Sequence, residues 1–117
     1  MSAYANSAPI ALSPIPLSPK YASGAFPYGI DFRVQLANPA TPGDALSTVT
    51  SITASVLAGS DPSPQLILNG SPYISGTQVL QQIVGGMAGT QYLVEIVART
   101  VQGNVLVGQF SFWVQAG

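Results

Sequence analysis

From Gly29 to the C-terminus, apolar and polar side chains alternate one by one in short runs. The clearest run is residues 51–56, in which isoleucine, alanine and valine alternate with serine and threonine. A period of two residues is that of a β-strand with one buried face, because successive side chains of a strand point to opposite sides. No stretch longer than about ten residues shows sustained helical periodicity. The pattern therefore predicts an all-β protein.

Turn-forming segments divide this alternation into short strands. Residues 59–62 (GSDP) end one run, and residues 69–72 (NGSP) predict a hairpin turn between two others. About seven strands, spaced by roughly 8 to 12 residues, are typical of an immunoglobulin-like antiparallel β-sandwich. We expect these strands at residues 30–36, 51–56, 66–68, 73–74, 77–84, 91–99 and 105–115.

The last two predicted strands form a hairpin that we expect to be central to the core. Their core-facing side chains would be Tyr92, Val94, Ile96, Ala98, Leu106, Phe110, Phe112 and Val114, with Gly108 between the two parts of the last strand. Tyr92 lies two residues into its strand, after Gly89 and Thr90. This position predicts a tyrosine corner, in which the hydroxyl group bonds to nearby backbone.

Proline dominates the beginning of the chain. Five of the ten prolines lie before Tyr28, where their missing amide donors and fixed φ angles disfavour helix and central strand: Pro9, Pro14, Pro16, Pro19 and Pro27. Residues 1–28 are therefore predicted to be an extended arm, and residues 29–117 the sandwich domain. The arm is more apolar than disordered tails usually are, so we expect it to dock on another subunit. Its anchoring side chains would be Ile10, Leu12, Ile15, Leu17, Tyr21 and Phe26.

The chain carries very little charge. Charged residues make up 6% of the sequence and the formal net charge is -1, whereas about 25% of a typical soluble domain is charged. The scattered basic residues cannot neutralise several phosphates at once, which argues against nucleic-acid binding. No apolar run approaches the roughly 20 residues of a spanning helix, and no polybasic segment could hold a membrane surface. We expect the surface to associate with other protein instead.

The residue types that most enzymes use are missing. Without histidine or cysteine, the chain lacks the usual proton shuttle, thiolate nucleophile and zinc ligands. Lys20, the only lysine, lies in the predicted arm, so a serine–lysine hydrolase is not expected. Asp31 and Glu95 fall on different predicted strands, and Asp44 and Asp61 are isolated loop acids rather than calcium ligands. We therefore expect a non-enzymatic protein without a metal or cofactor.

Outward positions of the terminal hairpin carry several apolar side chains. Trp113 lies on the strand face opposite Phe110 and Phe112. An exposed tryptophan beside apolar neighbours is common at protein interfaces. The candidate patch consists of Leu93, Val97, Val105, Val107 and Trp113. Alternatively, Trp113 caps an open end of the sandwich.

From about Gly43 to the C-terminus, the chain resembles the small immunoglobulin-like proteins encoded among the virion genes of tailed bacteriophages. The segments that carry the likeness are GD at 43–44, SITASV at 51–56, GGMAGTQY at 85–92, ART at 98–100 and GN at 103–104. The resemblance implies a virion structural part, with capsid decoration or cement expected first and a collar, tail or fibre component next. The implied partners are the major capsid protein or a tail or collar protein, together with further copies of the chain.

A carbohydrate-binding or adhesin module of the same fold is the alternative function. Such a module needs exposed aromatic platforms with polar neighbours. Tyr28, Tyr73 and Trp113 are the candidates, although nothing groups them in the sequence. Glycan binding that is lost in a Trp113→Ala variant would favour this alternative over a purely structural role.

Overall fold

The computed structural model describes residues 15–117, which form eight β-strands, one short α-helix and one 3₁₀ helix. The strands are β1 (Ile15–Pro16), β2 (Lys20–Tyr21), β3 (Ala25–Asp31), β4 (Leu46–Ala58), β5 (Leu68–Ser75), β6 (Gln78–Val84), β7 (Gln91–Thr100) and β8 (Val105–Gln115). The α-helix, α1, spans Arg33–Leu36, and the 3₁₀ helix spans Pro64–Ile67. The regular structure is thus almost entirely extended, as the alternation predicts.

The strands form two sheets that pack face to face. One sheet has the order β1-β8-β7-β4, with β2 also paired to β8, and the other has the order β3-β6-β5. Pairing is antiparallel, except that β1 and β2 run parallel to β8. When β3 to β8 are taken as strands B to G, the sheets are B-E-D and C-F-G, which is the immunoglobulin arrangement. The predicted immunoglobulin-like sandwich is confirmed.

The sheets meet in a core to which β7 and β8 contribute alternate residues. The buried members of this hairpin are Tyr92, Val94, Ile96, Ala98, Leu106, Phe110, Phe112 and Val114. Tyr92 lies opposite Phe112, with ring centroids 5.8 Å apart. Tyr28 reaches across from β3 to within 4.9 Å of the same phenylalanine ring. The predicted inward face of the terminal hairpin is confirmed.

Gly108 provides space on the core side of β8. A Cβ atom at this position would lie 2.8 Å from Cγ2 of Ile30 and 3.1 Å from the ring of Phe32. Phe32 is 1% exposed, because its ring fills the space that a side chain on β8 would otherwise occupy. The glycine therefore leaves room for the ring of Phe32, which is buried in the core just after the end of β3.

Tyr92 forms the predicted tyrosine corner at the start of β7. Its hydroxyl group accepts a hydrogen bond from the backbone N–H of Met87 (2.9 Å) and donates one to Oδ2 of Asp61 (2.6 Å). The side chain itself is fully buried. One hydroxyl group thereby ties two loops to the strand at the centre of the core.

Removing that hydroxyl group should destabilise the protein measurably. In a Tyr92→Phe variant the Met87 amide loses its side-chain acceptor, so we expect the free energy of unfolding to fall by about 1 to 3 kcal/mol. Urea denaturation followed by circular dichroism measures this change. A Tyr73→Phe variant is the control, because that ring is half exposed on β5. Equal stabilities of the two variants would contradict a structural role for the corner.

The first predicted strand is shorter than the alternation suggests. The alternation predicts a strand over residues 30–36, but β3 ends at Asp31. Oδ1 of Asp31 accepts hydrogen bonds from the backbone N–H of Arg33 (2.9 Å) and from the hydroxyl group of Thr77 (2.7 Å). An aspartate bonded to the amide two residues further on turns the chain locally. The chain continues as the helix α1, where Val34 is 83% exposed.

Residues 69–72 form a bulge within β5 rather than the predicted hairpin turn. The register of β5 against β6 jumps between Asn69 and Tyr73. Gln81 is buried at this gap, and its Nε2 atom donates to the carbonyl oxygens of Asn69 (3.0 Å) and Gly70 (3.2 Å). The side-chain amide takes the place of ladder hydrogen bonds that the bulge removes. This explains a glutamine at a core-facing position of β6.

The predicted boundary between an arm at residues 1–28 and a domain at residues 29–117 falls inside β3. This strand pairs with β6 along its whole length, from Ala25 to Asp31. Both β1 and β2 also add to the edge of β8. Prolines are compatible with these positions because an edge strand leaves one row of its amides without strand partners. Residues 15–28 therefore belong to the sandwich, and the boundary is wrong for this segment.

Lys20 fixes β2 to the loop between β6 and β7. Its side chain is buried, and Nζ donates hydrogen bonds to the carbonyl oxygens of Gly85 (2.6 Å) and Tyr21 (2.8 Å). Burial lowers the pKa of the Lys20 ammonium group. Its hydrogen bonds attach the N-terminal segment to the body of the sandwich.

Candidate protein interface

The five apolar side chains of the predicted patch lie together on the outer face of β7 and β8. Their neighbours along each strand are buried in the core, so these alternate residues point outward. Val97 lies directly opposite Val107, while Trp113 and Val105 are 46% and 43% exposed. We call this surface the outer hairpin face, formed by Leu93, Val97, Val105, Val107 and Trp113.

Trp113 belongs to this face and does not cap the opening between the sheets. It lies opposite Gln91, the first residue of β7. Its neighbours Phe112 and Val114 point into the core. The side chain of Trp113 therefore projects from the outside of the sheet, as the first of the two sequence-based alternatives expects.

One polar pair divides the outer hairpin face. Glu95 lies opposite Gln109, whose Nε2 atom donates a hydrogen bond to Oε2 of Glu95 (3.0 Å). Leu93 and Trp113 lie on one side of this pair, and the valines lie on the other. Side chains on one face of a strand recur about every 7 Å. A partner that contacts both apolar areas must also cover the polar pair between them.

The predicted arm anchors near β1 have different environments. Ile15 lies opposite Phe110 at the edge of the sheet and is 51% exposed, whereas Leu17 packs against the core. Leu17 therefore contacts the core of its own chain, which leaves less of its side chain available to anchor another subunit. Ile10 and Leu12, the two remaining aliphatic anchors, lie outside the described residues.

Among the described residues 15–28, Tyr21 and Phe26 are the most exposed aromatic side chains. Each is 62% exposed. The ring of Tyr21 lies beside the C-terminal Gly117, and the ring of Phe26 packs edge to face on Tyr28 at a centroid distance of 5.9 Å. Both rings are supported from one side and open to solvent on the other, so they remain candidates for contact with a partner.

The edge strand β4 is a second candidate surface, which the sequence analysis did not identify. It is 13 residues long and pairs with β7 on one side. Near its centre, the backbone N–H of Ala54 donates to the side-chain oxygen of Gln65 from the 3₁₀ helix. The strand contains no proline and no charged residue. Away from the contact with Gln65, no described strand pairs with this edge, and such an edge is open to pairing with another strand. The run of uncharged residues at 46–58 was the signal that could have revealed it.

Hydrogen bonds stabilise two of the acidic side chains in their charged form. The hydroxyl group of Tyr92 and the backbone N–H of Ser63 hold the pKa of Asp61 below its ordinary value of 3.8. Thr77 and the Arg33 amide act in the same way on the pKa of Asp31. Conversely, burial and the neighbouring Asp61 raise the pKa of Tyr92. These groups brace loops and do not form a reactive pair.

The shifted carboxylates predict a loss of stability in acid. A carboxyl group whose pKa is lower in the folded state contributes stability above its unfolded pKa, and this contribution is lost as the pH falls through the folded pKa. We expect the melting temperature to drop between about pH 5 and about pH 2. The drop should be smaller in an Asp61→Asn variant, because one of the carboxylates no longer titrates. Identical pH profiles for both proteins, measured by circular dichroism, would rule out this contribution of Asp61.

The described residues show no grouping suited to metal chemistry. Between residues 15 and 117, no three side chains of the histidine, cysteine, aspartate or glutamate types come together to hold an ion. In the same part of the chain, no helix has the length and apolar character needed to cross a membrane.

The aromatic residues considered for glycan binding do not form a common platform. Tyr28 is buried, and its hydroxyl group donates to the carbonyl oxygen of Ser18 (2.9 Å). Tyr73 lies on the outer face of β5, whereas Trp113 lies on the outer face of the opposite sheet. The structure thus separates the three side chains that the alternative would need together.

A small immunoglobulin-like sandwich with an apolar outer face is the class of protein that the fold and this surface define. Residues 20–115 match the family described as Podophage GP4 fiber-tail adaptor protein gp77. The chain belongs to this family. It is therefore a structural protein of a phage virion, as the resemblance in the sequence implies. The search of curated proteins found no match.

Proposed function

We propose that this protein joins a tail fibre to the tail of a podophage. The observation that carries the proposal is the match to a fibre–tail adaptor family over residues 20–115, which includes β2 to β8. The match favours the tail and fibre position over capsid decoration, which was the first expectation from the sequence. An adaptor acts by binding and needs no catalytic group, in agreement with a chain that lacks histidine and cysteine.

The outer hairpin face is the proposed docking surface for one partner. Its side chains project from β7 and β8, the pair of strands that also builds the core, so they are held rigidly. A rigid surface loses little conformational entropy when a partner binds. Trp113 is the largest exposed side chain of the face, and tryptophan is enriched among residues that dominate binding energy.

Apolar burial rather than charge should supply the affinity. Only Glu95 and Arg99 are charged on the described strands β7 and β8, and the formal net charge of the whole chain is -1. Salt screens interactions between exposed charges but hardly affects apolar burial. Binding to virion partners should therefore change little with ionic strength, and several copies acting together would strengthen individually weak contacts.

The edge of β4 is a proposed site for the other partner or for a neighbouring copy of the chain. An adaptor needs separate surfaces for the structures that it joins. The β4 edge lies on the opposite side of its sheet from β1. A strand added there would bond to the backbone, as in other cases of β-augmentation.

Replacing Trp113 tests the docking surface directly. We expect a full-length Trp113→Ser variant to bind particles that lack this protein at least about tenfold more weakly than the unmodified chain. Co-sedimentation over a range of protein concentrations measures the affinity, with separate assays for isolated tails and isolated fibres. The matched control is Tyr73→Ser, which removes a half-exposed aromatic ring from the opposite sheet.

The affinities of the two variants for tails and for fibres decide between the outcomes. The outer hairpin face is supported if the Trp113→Ser variant binds one partner more weakly while the Tyr73→Ser variant binds the same partner as tightly as the unmodified chain. Unchanged binding of the Trp113→Ser variant to both partners would overturn this surface. Failure of the unmodified chain to bind either tails or fibres would overturn the adaptor function itself.

A further inference from the structure

Only part of the β4 edge is regular enough to pair easily. The register of β4 against β7 shifts at three places, which are residues 46–48, 49–51 and 56–58. Irregularities of this kind increase the local twist and make an edge harder to pair. Between them, each of residues 51–56 has one partner on β7. An added strand would therefore pair most easily along residues 51–56.

Gln65 occupies the central backbone donor of this regular stretch. The backbone N–H of Ala54 donates to the side-chain oxygen of Gln65, so the amide of Ala54 points away from β7. The direction of the peptide groups alternates along a strand, and those of Ile52 and Val56 therefore point the same way. Ala54 is the middle residue of the three. A strand added along residues 51–56 would need its N–H and would have to displace the Gln65 side chain.

The 3₁₀ helix that carries Gln65 is held in place by other groups. Ile67, the last residue of the helix, is buried in the core. Before the helix, the backbone N–H of Ser63 donates to Oδ1 of Asp61 (2.9 Å), and Asp61 also accepts from the hydroxyl group of Tyr92. Gln65 itself is exposed. Its side chain can therefore rotate away from β4 while the helix stays folded.

The contact with Gln65 takes the place of the usual protection of an edge strand. The edge strands of the other sheet, β3 and β5, contain Pro27 and Pro72. β4 contains neither a proline nor a charged residue. Prolines and charges are common means by which edge strands avoid pairing with one another. In β4, the hydrogen bond between Ala54 and Gln65 can serve this purpose.

Pairing of two copies would displace two glutamine side chains, whereas a strand of another protein would displace one. In a symmetric pair each chain contributes the same edge, so Gln65 must move in both copies. Loss of one neutral hydrogen bond changes an equilibrium constant by about fivefold. The displacement therefore weakens binding of a foreign strand by about fivefold and pairing of two copies by about 25-fold.

We propose that Gln65 is a gate on the β4 edge, which selects a strand of the tail or fibre protein over a second copy of this chain. The selected partner is an extended segment that presents a backbone carbonyl oxygen to Ala54. Without this partner, the Gln65 side chain keeps the edge closed and holds neighbouring copies apart. The choice of partner rests on the proposed adaptor function, but the block on self-association does not.

Amide exchange of Ala54 tests whether Gln65 closes the edge. The rate is measured by NMR in dilute full-length protein. Gln65→Met removes the acceptor but keeps a side chain of similar length, so Ala54 should exchange about fivefold faster. Gln65→Glu keeps a side-chain oxygen and should retain the slow exchange. Equal rates in all three proteins would overturn the gate, and unchanged exchange at Val94 in the core verifies that the variants are folded.

Sedimentation equilibrium tests whether the gate keeps copies apart. We expect the dissociation constant of a dimer to be about 25-fold lower for Gln65→Met than for the unmodified chain. The exchange of Ala54 in this variant should also slow as the protein concentration rises, because pairing covers its N–H. The control is Leu66→Met, which places the same side chain at the neighbouring position, 77% exposed, and leaves the acceptor of Ala54 in place.

Three results of this experiment would overturn the block on self-association. One is a dimer of the unmodified chain that is as stable as that of Gln65→Met. Another is equal dimerisation of Leu66→Met and Gln65→Met, since the methionine would then act without opening the edge. The third is the absence of dimers in Gln65→Met at every concentration measured, since other features would then keep the copies apart.

Binding to isolated tails and isolated fibres tests the choice of partner. We expect Gln65→Met to bind one of them about fivefold more tightly than the unmodified chain does, because each complex displaces one side chain. Unchanged affinities for both, in a variant whose Ala54 amide exchanges faster, would overturn the selection of a tail or fibre strand. If the unmodified chain binds neither tails nor fibres, the adaptor function is wrong, whereas the exchange and sedimentation results still decide whether Gln65 is a gate.

Discussion

The structure depends on the double pairing of β8, which receives β7 on one edge and β1 and β2 on the other. Its inward side chains form the centre of the core, where Phe110 and Phe112 stack on tyrosines from both sheets. Its outward side chains, including Trp113, form the proposed docking surface. A single strand thus connects the stability of the fold to the surface on which function is proposed to depend. A mutation in the core would weaken partner binding by destabilising the fold. A mutation on the outer hairpin face would weaken it by removing contacts with the partner.

This arrangement suits a structural protein that contains little charge. With 6% charged residues, the chain cannot rely on electrostatic steering, and its rigid outer hairpin face offers apolar area instead. Hydrogen bonds from side chains, such as those of Lys20 and Gln81, hold loops and a bulge in place. The buried polar groups therefore maintain the shape of the sandwich while the apolar surface remains available for contact.

The sequence predicts the parts of the fold where alternation is regular, and fails where one side chain redirects the backbone. The core of β7 and β8 follows directly from a period of two. In contrast, the hydrogen bonds of Asp31 end β3 earlier than its apolar pattern suggests, and Gln81 turns an apparent hairpin sequence into a bulge. Such effects depend on partners distant in sequence, such as Thr77, which the local pattern cannot reveal.

The N-terminal segment was misassigned for a related reason. Prolines excluded it from central strands, but β1, β2 and β3 lie at sheet edges, where a proline nitrogen can face outward. The outer hairpin face could be predicted from the sequence because its five residues are all odd-numbered. Alternate residues of a strand lie on the same face. For the edge of β4, the uncharged run at residues 46–58 was the available signal, and it points to an exposed edge only once the pairing of the strands is known.

Oxidation of Trp113 by hydroxyl radicals tests the central claim most directly. This residue is the only tryptophan and is 46% exposed in the free chain. Mass spectrometry of the protein free and assembled in virions compares its oxidation rate in the two states. Burial of the outer hairpin face by a partner predicts a rate several-fold lower in the virion, roughly in proportion to the lost exposure. An equal rate in both states would contradict the claim that this face binds the tail or the fibre.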